Sequence, residues 1–229
     1  MTNSIIEYKL KKNDLLPIKV YVVNLKHRTD RWKNTIEQFK NFDSNIELIQ
    51  VEGINAKEEN IPTKVAICRS FKKAAEIAKK NGFSNNSKNL QYTFFAEDDI
   101  LFENPKKSFE KFKMALDNLP EKWDIITGGT YYIERNDIIK ETINNHFKIL
   151  NRWCSMHFLL LNSISTEKFI DICSCEEGHI DYLLSLKYRD KFTTYAIWPL
   201  IAKQIDDYSD NHETIMKLES YLKGGQLFI

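Results

Sequence analysis

Apolar and polar positions follow two rhythms along this chain, and their order predicts its elements. Ile18-Lys19-Val20-Tyr21-Val22-Val23-Asn24-Leu25 is β-rich and nearly all apolar, the pattern of a strand buried on both faces. The charged turn Lys26-His27-Arg28-Thr29-Asp30-Arg31 follows, and Thr29 or Asp30 can cap a helix whose inward side carries Trp32, Ile36 and Phe39. Ile46 to Val51 is a second strand, closed by the turn Gly53-Ile54-Asn55. From Thr63 the rhythm becomes helical. Val65, Ile67, Phe71, Ala74, Ala75 and Ala78 form one apolar stripe, and Asn81-Gly82 ends it. Ser84 to Asn89 is a polar surface loop, after which Tyr92-Thr93-Phe94-Phe95-Ala96 gives a buried central strand. A helix from about Pro105 to Leu119 has proline near its first turn. This strand–helix–strand–helix–strand start predicts a doubly wound sheet with right-handed crossovers.

The second half is less regular. Trp123 to Thr127 is a strand stopped by Gly128-Gly129, and residues 130–150 form an irregular insertion with a hairpin tip at Glu134-Arg135-Asn136-Asp137. Met156 to Leu161 is a further core strand, followed by helices over Thr166–Cys173 and around Asp181–Lys187. Phe192 to Ile201 is a last strand interrupted by Trp198-Pro199, which implies an edge or a bend. Residues 1–17 are a polar lead-in, and the tail after Gln204 holds a short helix near Glu213 to Leu222. No repeat or linker divides the chain, so one domain over 1–229 is expected.

Composition narrows the partners. An apolar fraction of 42% and a charged fraction of 28% describe a globular protein with a core. Lys+Arg of 33 against Asp+Glu of 32 argues against nucleic acid as the main partner. Met1 to Asp14 has no apolar centre, and no window approaches the roughly 18 apolar residues of a spanning helix. Peripheral membrane contact stays open. The cysteines are Cys68, Cys154, Cys173 and Cys175, and a lone Cys-Ser-Cys lacks the second pair a zinc site needs. Reduced thiols in a cytoplasmic protein are the expectation.

The chemistry concentrates at Glu97-Asp98-Asp99. These acids end the central strand and are followed at once by Ile100-Leu101-Phe102. Three adjacent carboxylates repel one another and resist burial. A divalent cation or a set of donors relieves both costs, and in an open α/β sheet ligands bind at this end of the strands. Alternation along an extended strand would put Glu97 and Asp99 on one face as hard-metal ligands, leaving Asp98 for a ribose hydroxyl. The plainer reading is that the acids cap the helix near Pro105, although a cap uses one acid. There are seven glycines and neither a Gly-x-Gly-x-x-Gly nor a Walker loop, so any phosphates must be held by a metal and basic side chains.

Three stretches together resemble glycosyltransferase family 25, the lipopolysaccharide and collagen-type sugar transferases. They are Val20-Tyr21-Val22-Val23-Asn24-Leu25 with Arg28, Asp30 and Arg31; Ala96-Glu97-Asp98-Asp99-Ile100; and His179-Ile180-Asp181-Tyr182 with Pro199-Leu200-Ile201-Ala202-Lys203-Gln204 and Ser209-Asp210. The resemblance implies an A-type glycosyltransferase fold, a doubly wound mixed sheet flanked by helices. It also implies a nucleotide-sugar donor, usually a uridine diphosphate sugar, a manganese or magnesium ion, and a glycan or other hydroxyl acceptor. Asn24 and Leu25 would border the nucleotide and Arg28 its phosphates. Glu97 and Asp99 would hold the metal, and Asp98 would lie near the ribose. Transfer with inversion would leave Asp181 as the candidate base. The chain departs from the family at Ala66-Ile67-Cys68-Arg69-Ser70-Phe71, where the serine is kept and Phe71 replaces a histidine.

Other candidates have plainer readings. His27 is a loop residue, His157 a hydrogen-bonded core histidine, and Trp153 and Trp198 packing residues unless exposed to stack a sugar. His179, His212, Asp207 and Asp210 are alternatives for a further metal ligand or base. Three classes follow: a metal-dependent sugar transferase, a nucleotidyltransferase holding a triphosphate with the same acids, and a non-catalytic sugar- or nucleotide-binding relative, which Phe71 favours.

Overall fold

The near-continuous apolar runs lie side by side at the centre of one sheet. The structure, a computed structural model, describes residues 6–9, 17–43, 45–85, 90–130, 138–143, 145–150, 152–206, 208–209 and 214–215. The first half contains strands β1 (Ile6–Lys9) and β2 (Ile18–Asn24), helix α1 (Thr29–Phe42), β3 (Ile46–Glu52), α2 (Thr63–Asn81) and β4 (Ser84–Asn85). Then come β5 (Gln91–Glu97), β6 (Ile100–Leu101), α3 (Pro105–Asp117), β7 (Ile125–Thr127), β8 (Ile138–Ile143) and β9 (Phe147–Leu150). The remainder comprises β10 (Phe158–Asn162), α4 (Thr166–Ser174), the single turn α5 (Ile180–Tyr182), β11 (Thr194–Ile197), β12 (Lys203–Gln204), β13 (Tyr208–Ser209) and β14 (Thr214–Ile215).

The main sheet has the order β1-β3-β2-β5-β10-β7-β11-β9-β8, with β4 against the start of β5. β3, β2 and β5 are mutually parallel, as are β7 and β11, whereas β10 runs antiparallel between β5 and β7. This is an α/β fold built on a mixed sheet flanked by helices. Strand parity assigns the two faces. Val20, Val22, Phe94 and Ala96 pack with Phe39, Phe42 and Phe112 from α1 and α3. Tyr21 and Phe95 turn the other way, onto Phe71, Ala74 and Ala75 of α2 and Phe169 of α4. Burial on both faces is why these strands show no alternation in sequence.

Several boundaries differ from expectation. The lead-in contains β1, which pairs antiparallel with β3. Neither Thr29 nor Asp30 caps α1: both lie in its first turn, Arg28 is the capping residue without a side-chain bond, and Arg28 forks onto Asp30. Helix α2 ends as expected at Gly82, whose φ of 85° suits glycine. Asn104, not an acid, caps α3 by accepting from the Lys107 backbone N–H. β11 is an interior strand between β7 and β9, so Trp198-Pro199 marks a bend and not an edge. The Glu134–Asp137 tip lies outside the described residues, as does most of the Glu213–Leu222 helix, whose described part, Thr214–Ile215, is strand. Among the described residues no helix is long and apolar enough to cross a membrane.

Candidate active site

The connections of β2 and β5 open the site. From β2 the chain passes by α1 on one face to β3, then returns by α2 on the other face, past β2, to β5. The direction of winding therefore reverses between β2 and β5, and connections leaving in opposite directions leave a crevice at the strand ends. A cleft of about 1080 Å³ lies there, lined by Leu25, the Glu97–Asp99 acids, Ala66, Ile67 and Phe71 of α2, Ser155, Met156, His179, Asp181 and Gln204, among others.

Strand β5 stops at Glu97, and Asp98 and Asp99 form the turn into β6, so strand alternation does not set their directions. Their partners do. Asp98 is 7% exposed, accepting from Asn24 Nδ2 at 2.6 Å and Arg31 Nη1 at 3.1 Å. The same Arg31 nitrogen is 3.5 Å from Asp99. Helix α1 supplies Thr35 one turn after Arg31, and its hydroxyl donates to the Asp98 carbonyl at 3.0 Å. Across the cleft, β12 pairs antiparallel with β6, which sets Gln204 beside the acids. Its Nε2 donates to Glu97 at 3.0 Å and to Asp99 at 2.9 Å. A third element reaches in at residues 154–156. The Met156 backbone N–H donates to Glu97 at 3.3 Å, and that of Ser155 to Asp181 at 2.8 Å.

Burial pushes the Glu97 carboxyl well above its usual range, and Asp99, Asp181 and Asp98 push it further. Asp99 rises to about 6 through burial and Asp98, against the pull of Arg31 and Gln204. Asp98 is also raised by burial, with Arg31 and Asn24 opposing. The acids thus carry a cost of burial, with like charge added at Glu97 and Asp99, that their present donors do not fully relieve.

Of the residues singled out from sequence, Glu97, Asp98, Asp99, Leu25, His179 and Asp181 share the cleft. Asn24 and Arg28 are not among its lining residues. Asn24 is buried and spent internally, donating to Asp98 and to the Arg28 carbonyl and accepting from Gln50. Arg28 pairs with Asp30, and Arg31 meets the acids instead. Phe71 is 1% exposed and packs edge-on against Phe95, so that position offers the cleft a ring and no polar contact. Ser70, beside it, bonds the Ile54 N–H and the Ala66 carbonyl. His157 is fully buried between Ser155 and the Ala202 carbonyl, and burial lowers its pKa to about 4. A side chain at Gly129 would collide with His157 and with the Ala202 carbonyl. Trp153 is fully buried. Asp207, Asp210 and His212 lie outside the described residues.

Among the described residues no three His, Cys, Asp or Glu side chains converge as a ready metal cage. Glu97 and Asp99 do share a single donor, Gln204, so their oxygens face one small volume. Two carboxylates facing such a volume fit a hard cation that completes its shell with substrate phosphates and water. Sequence reasoning missed Arg31 and Gln204 as partners of the acids, and missed the 154–156 backbone altogether. The Arg31–Thr35 spacing of one helical turn, with both on α1, was the available signal for the first.

One prediction belongs to this geometry. Arg31→Ala takes from the buried Asp98 its ion-pair partner and leaves Asn24 as its side-chain hydrogen-bond donor, and removing one partner of a buried ion pair costs about 3–5 kcal/mol. Urea melts should show a large fall in midpoint. A midpoint within experimental error of wild type would mean that the pair is solvated.

No protein-family model matches the chain, and no curated protein matches it. Solved structures do. One is described as the inositol-1-phosphate CTP transferase from T. maritima, 10% identical over 90% of this chain and 94% of that one, with a TM-score of 0.44.

Proposed function

We propose that the protein is a metal-dependent glycosyltransferase that moves a sugar from a nucleoside diphosphate sugar to a hydroxyl of a glycan or protein acceptor. The observation that supports this reading most is the convergence at one switch-point crevice of the Glu97–Asp99 acids and, from a separate segment, Asp181. Glu97 and Asp99 would hold Mn²⁺ or Mg²⁺, which supplies charge neutralisation for a departing diphosphate. The chain's own residues do the rest. Arg31 and Asn24 hold Asp98 in the turn after β5, from which it would meet a ribose hydroxyl. The Ser155 and Met156 backbone N–H groups fix Asp181 and Glu97, and the apolar Leu25 and Ile67, which line the cleft, would border the nucleoside. The uridine preference and inversion rest on the family resemblance alone. So does a role for Arg28 at the phosphates, which would require it to leave Asp30.

A nucleotidyltransferase is the second reading, because the same acids and cation can hold a triphosphate. Charge favours the first. Among the described residues the cations lining the cleft are Arg31, already committed to Asp98 and Asp99, and Lys57, with His27 and His179 also on its wall, and they face several carboxylates. A diphosphate asks less of so small a positive complement than a triphosphate does. Purified protein with Mn²⁺ and a panel of nucleotide sugars should release free nucleoside diphosphate. Release of pyrophosphate from nucleoside triphosphates, with no nucleotide sugar consumed, would establish the second reading. Binding without either product would establish a non-catalytic relative.

A further inference from the structure

Gln204 carries an oxygen that its surroundings do not explain. The residue is 9% exposed, and both N–H bonds of its amide are spent on Glu97 and Asp99. Its Oε1 is buried and has no hydrogen-bond partner among the described residues. A buried acceptor left unpaired loses the bond it would make to water. The side chain lines the cleft, and its backbone is pinned by the β6–β12 pairing and by the Ile205 N–H on the Asp99 carbonyl at 2.8 Å. The amide is therefore held at the acids while its terminal group keeps one torsion that exchanges N for O at almost no cost in shape.

We propose that Gln204 is a third oxygen ligand of the cation. Without cation its amide nitrogen bridges Glu97 and Asp99; with cation the amide turns over and presents Oε1. The inference rests on the reading of Glu97 and Asp99 as cation ligands. It adds a residue from the carboxy-terminal half and a two-position switch. The chemistry requires the turn. An N–H pointing between two carboxylates competes with a cation for the same oxygens, whereas a neutral amide oxygen is a hard donor of the kind that Mg²⁺ and Mn²⁺ accept. Turning over gives Oε1 the cation as a partner and moves the N–H bonds off the carboxylates, into the buried position that the oxygen leaves. It also supplies a third oxygen where, among the described residues, no third acid or histidine joins Glu97 and Asp99.

The test uses the full chain and Mn²⁺ alone, titrated by calorimetry with melting curves as a check on folding. Wild type should bind, Gln204→Leu should bind about 10–100-fold more weakly, a loss of the size seen when support is removed from a metal site, and Gln204→Glu should bind at least as tightly as wild type. Equal or tighter binding by Gln204→Leu would make the amide a bridge that the ion merely displaces, and the inference would fail while the cation reading stood. Absence of Mn²⁺ binding by wild type would remove both. If Gln204→Leu does not fold, side-chain amide NMR of wild type decides. Saturating Mg²⁺ should shift the Gln204 side-chain carbonyl carbon and amide nitrogen signals, as coordination through Oε1 requires. Signals unchanged by Mg²⁺ would overturn the proposal.

Discussion

Asp99→Asn should give a protein that folds at least as well as wild type and loses its cation-dependent hold on nucleoside diphosphate. The two effects have one cause. Burial and the neighbouring Asp98 raise the Asp99 carboxyl from 3.8 to about 6. Between those values the folded protein binds more protons than the unfolded chain, so the contribution of Asp99 to stability falls as pH rises. Asparagine has no such proton. The stability of the variant relative to wild type should therefore climb from about pH 4 to about pH 6 by about 3 kcal/mol, and the Glu97 carboxyl, which Asp99 also pushes up, adds to the rise above that. His157, with its pKa lowered to about 4, contributes the opposite slope over part of this range, but equally in both proteins, so it cancels in the difference. Urea melts of both proteins in chelator across this range provide the check. Parallel curves would show that the cation-free acid carries no penalty. Calorimetry of nucleoside diphosphate with and without Mn²⁺ reads the other half. If Mn²⁺ strengthens binding equally in both proteins, Asp99 is not a ligand.

The sequence showed the centre of the sheet because its strands are buried on both faces, and double burial leaves a run such as Val20–Val23 without polar interruptions. Edge and terminal features were harder. β1 is a four-residue strand with charges at alternate positions, and only its pairing with β3 distinguishes it from a polar lead-in. Three adjacent acids after an apolar run marked the site, because such a cluster is costly wherever it lies. Their directions were not legible. Strand geometry was assumed through Asp99, but β5 ends at Glu97. The groups that hold the acids come from far along the chain: Arg31 is 67 residues from Asp98, and Gln204 is 105 from Asp99. No local pattern reports contacts at those separations. Gln204 stood within the carboxy-terminal stretch that carries the family resemblance, but only the β6–β12 register puts it beside Asp99.

Asp181→Asn should nearly abolish sugar transfer while leaving the fold and donor binding close to wild type. If transfer inverts the anomeric centre, the acceptor hydroxyl attacks from the side opposite the diphosphate. Its proton must then leave toward a base that is not a cation ligand. Asp181 comes from the segment after α4, lines the cleft, and is near enough to push the Glu97 carboxyl upward. Its oxygens each accept one backbone N–H, from Ser155 and Tyr182, both at 2.8 Å. Those bonds orient the carboxylate and leave lone pairs for a substrate proton. They also define the competing role, in which Asp181 only anchors the 154–156 loop. The two roles differ in magnitude. Asparagine keeps one carbonyl acceptor and loses one of the two bonds, so an anchor alone costs about 0.5–1.5 kcal/mol of stability. Loss of a general base costs about 10²–10⁴ in rate. Transfer assays at saturating donor, with Mn²⁺-dependent nucleoside diphosphate binding measured in parallel, separate them. A rate down by two orders of magnitude or more with unchanged binding assigns the base. A rate within a few-fold of wild type, with a modest drop in melting temperature, makes Asp181 a loop anchor and moves the search to Asp207 and Asp210.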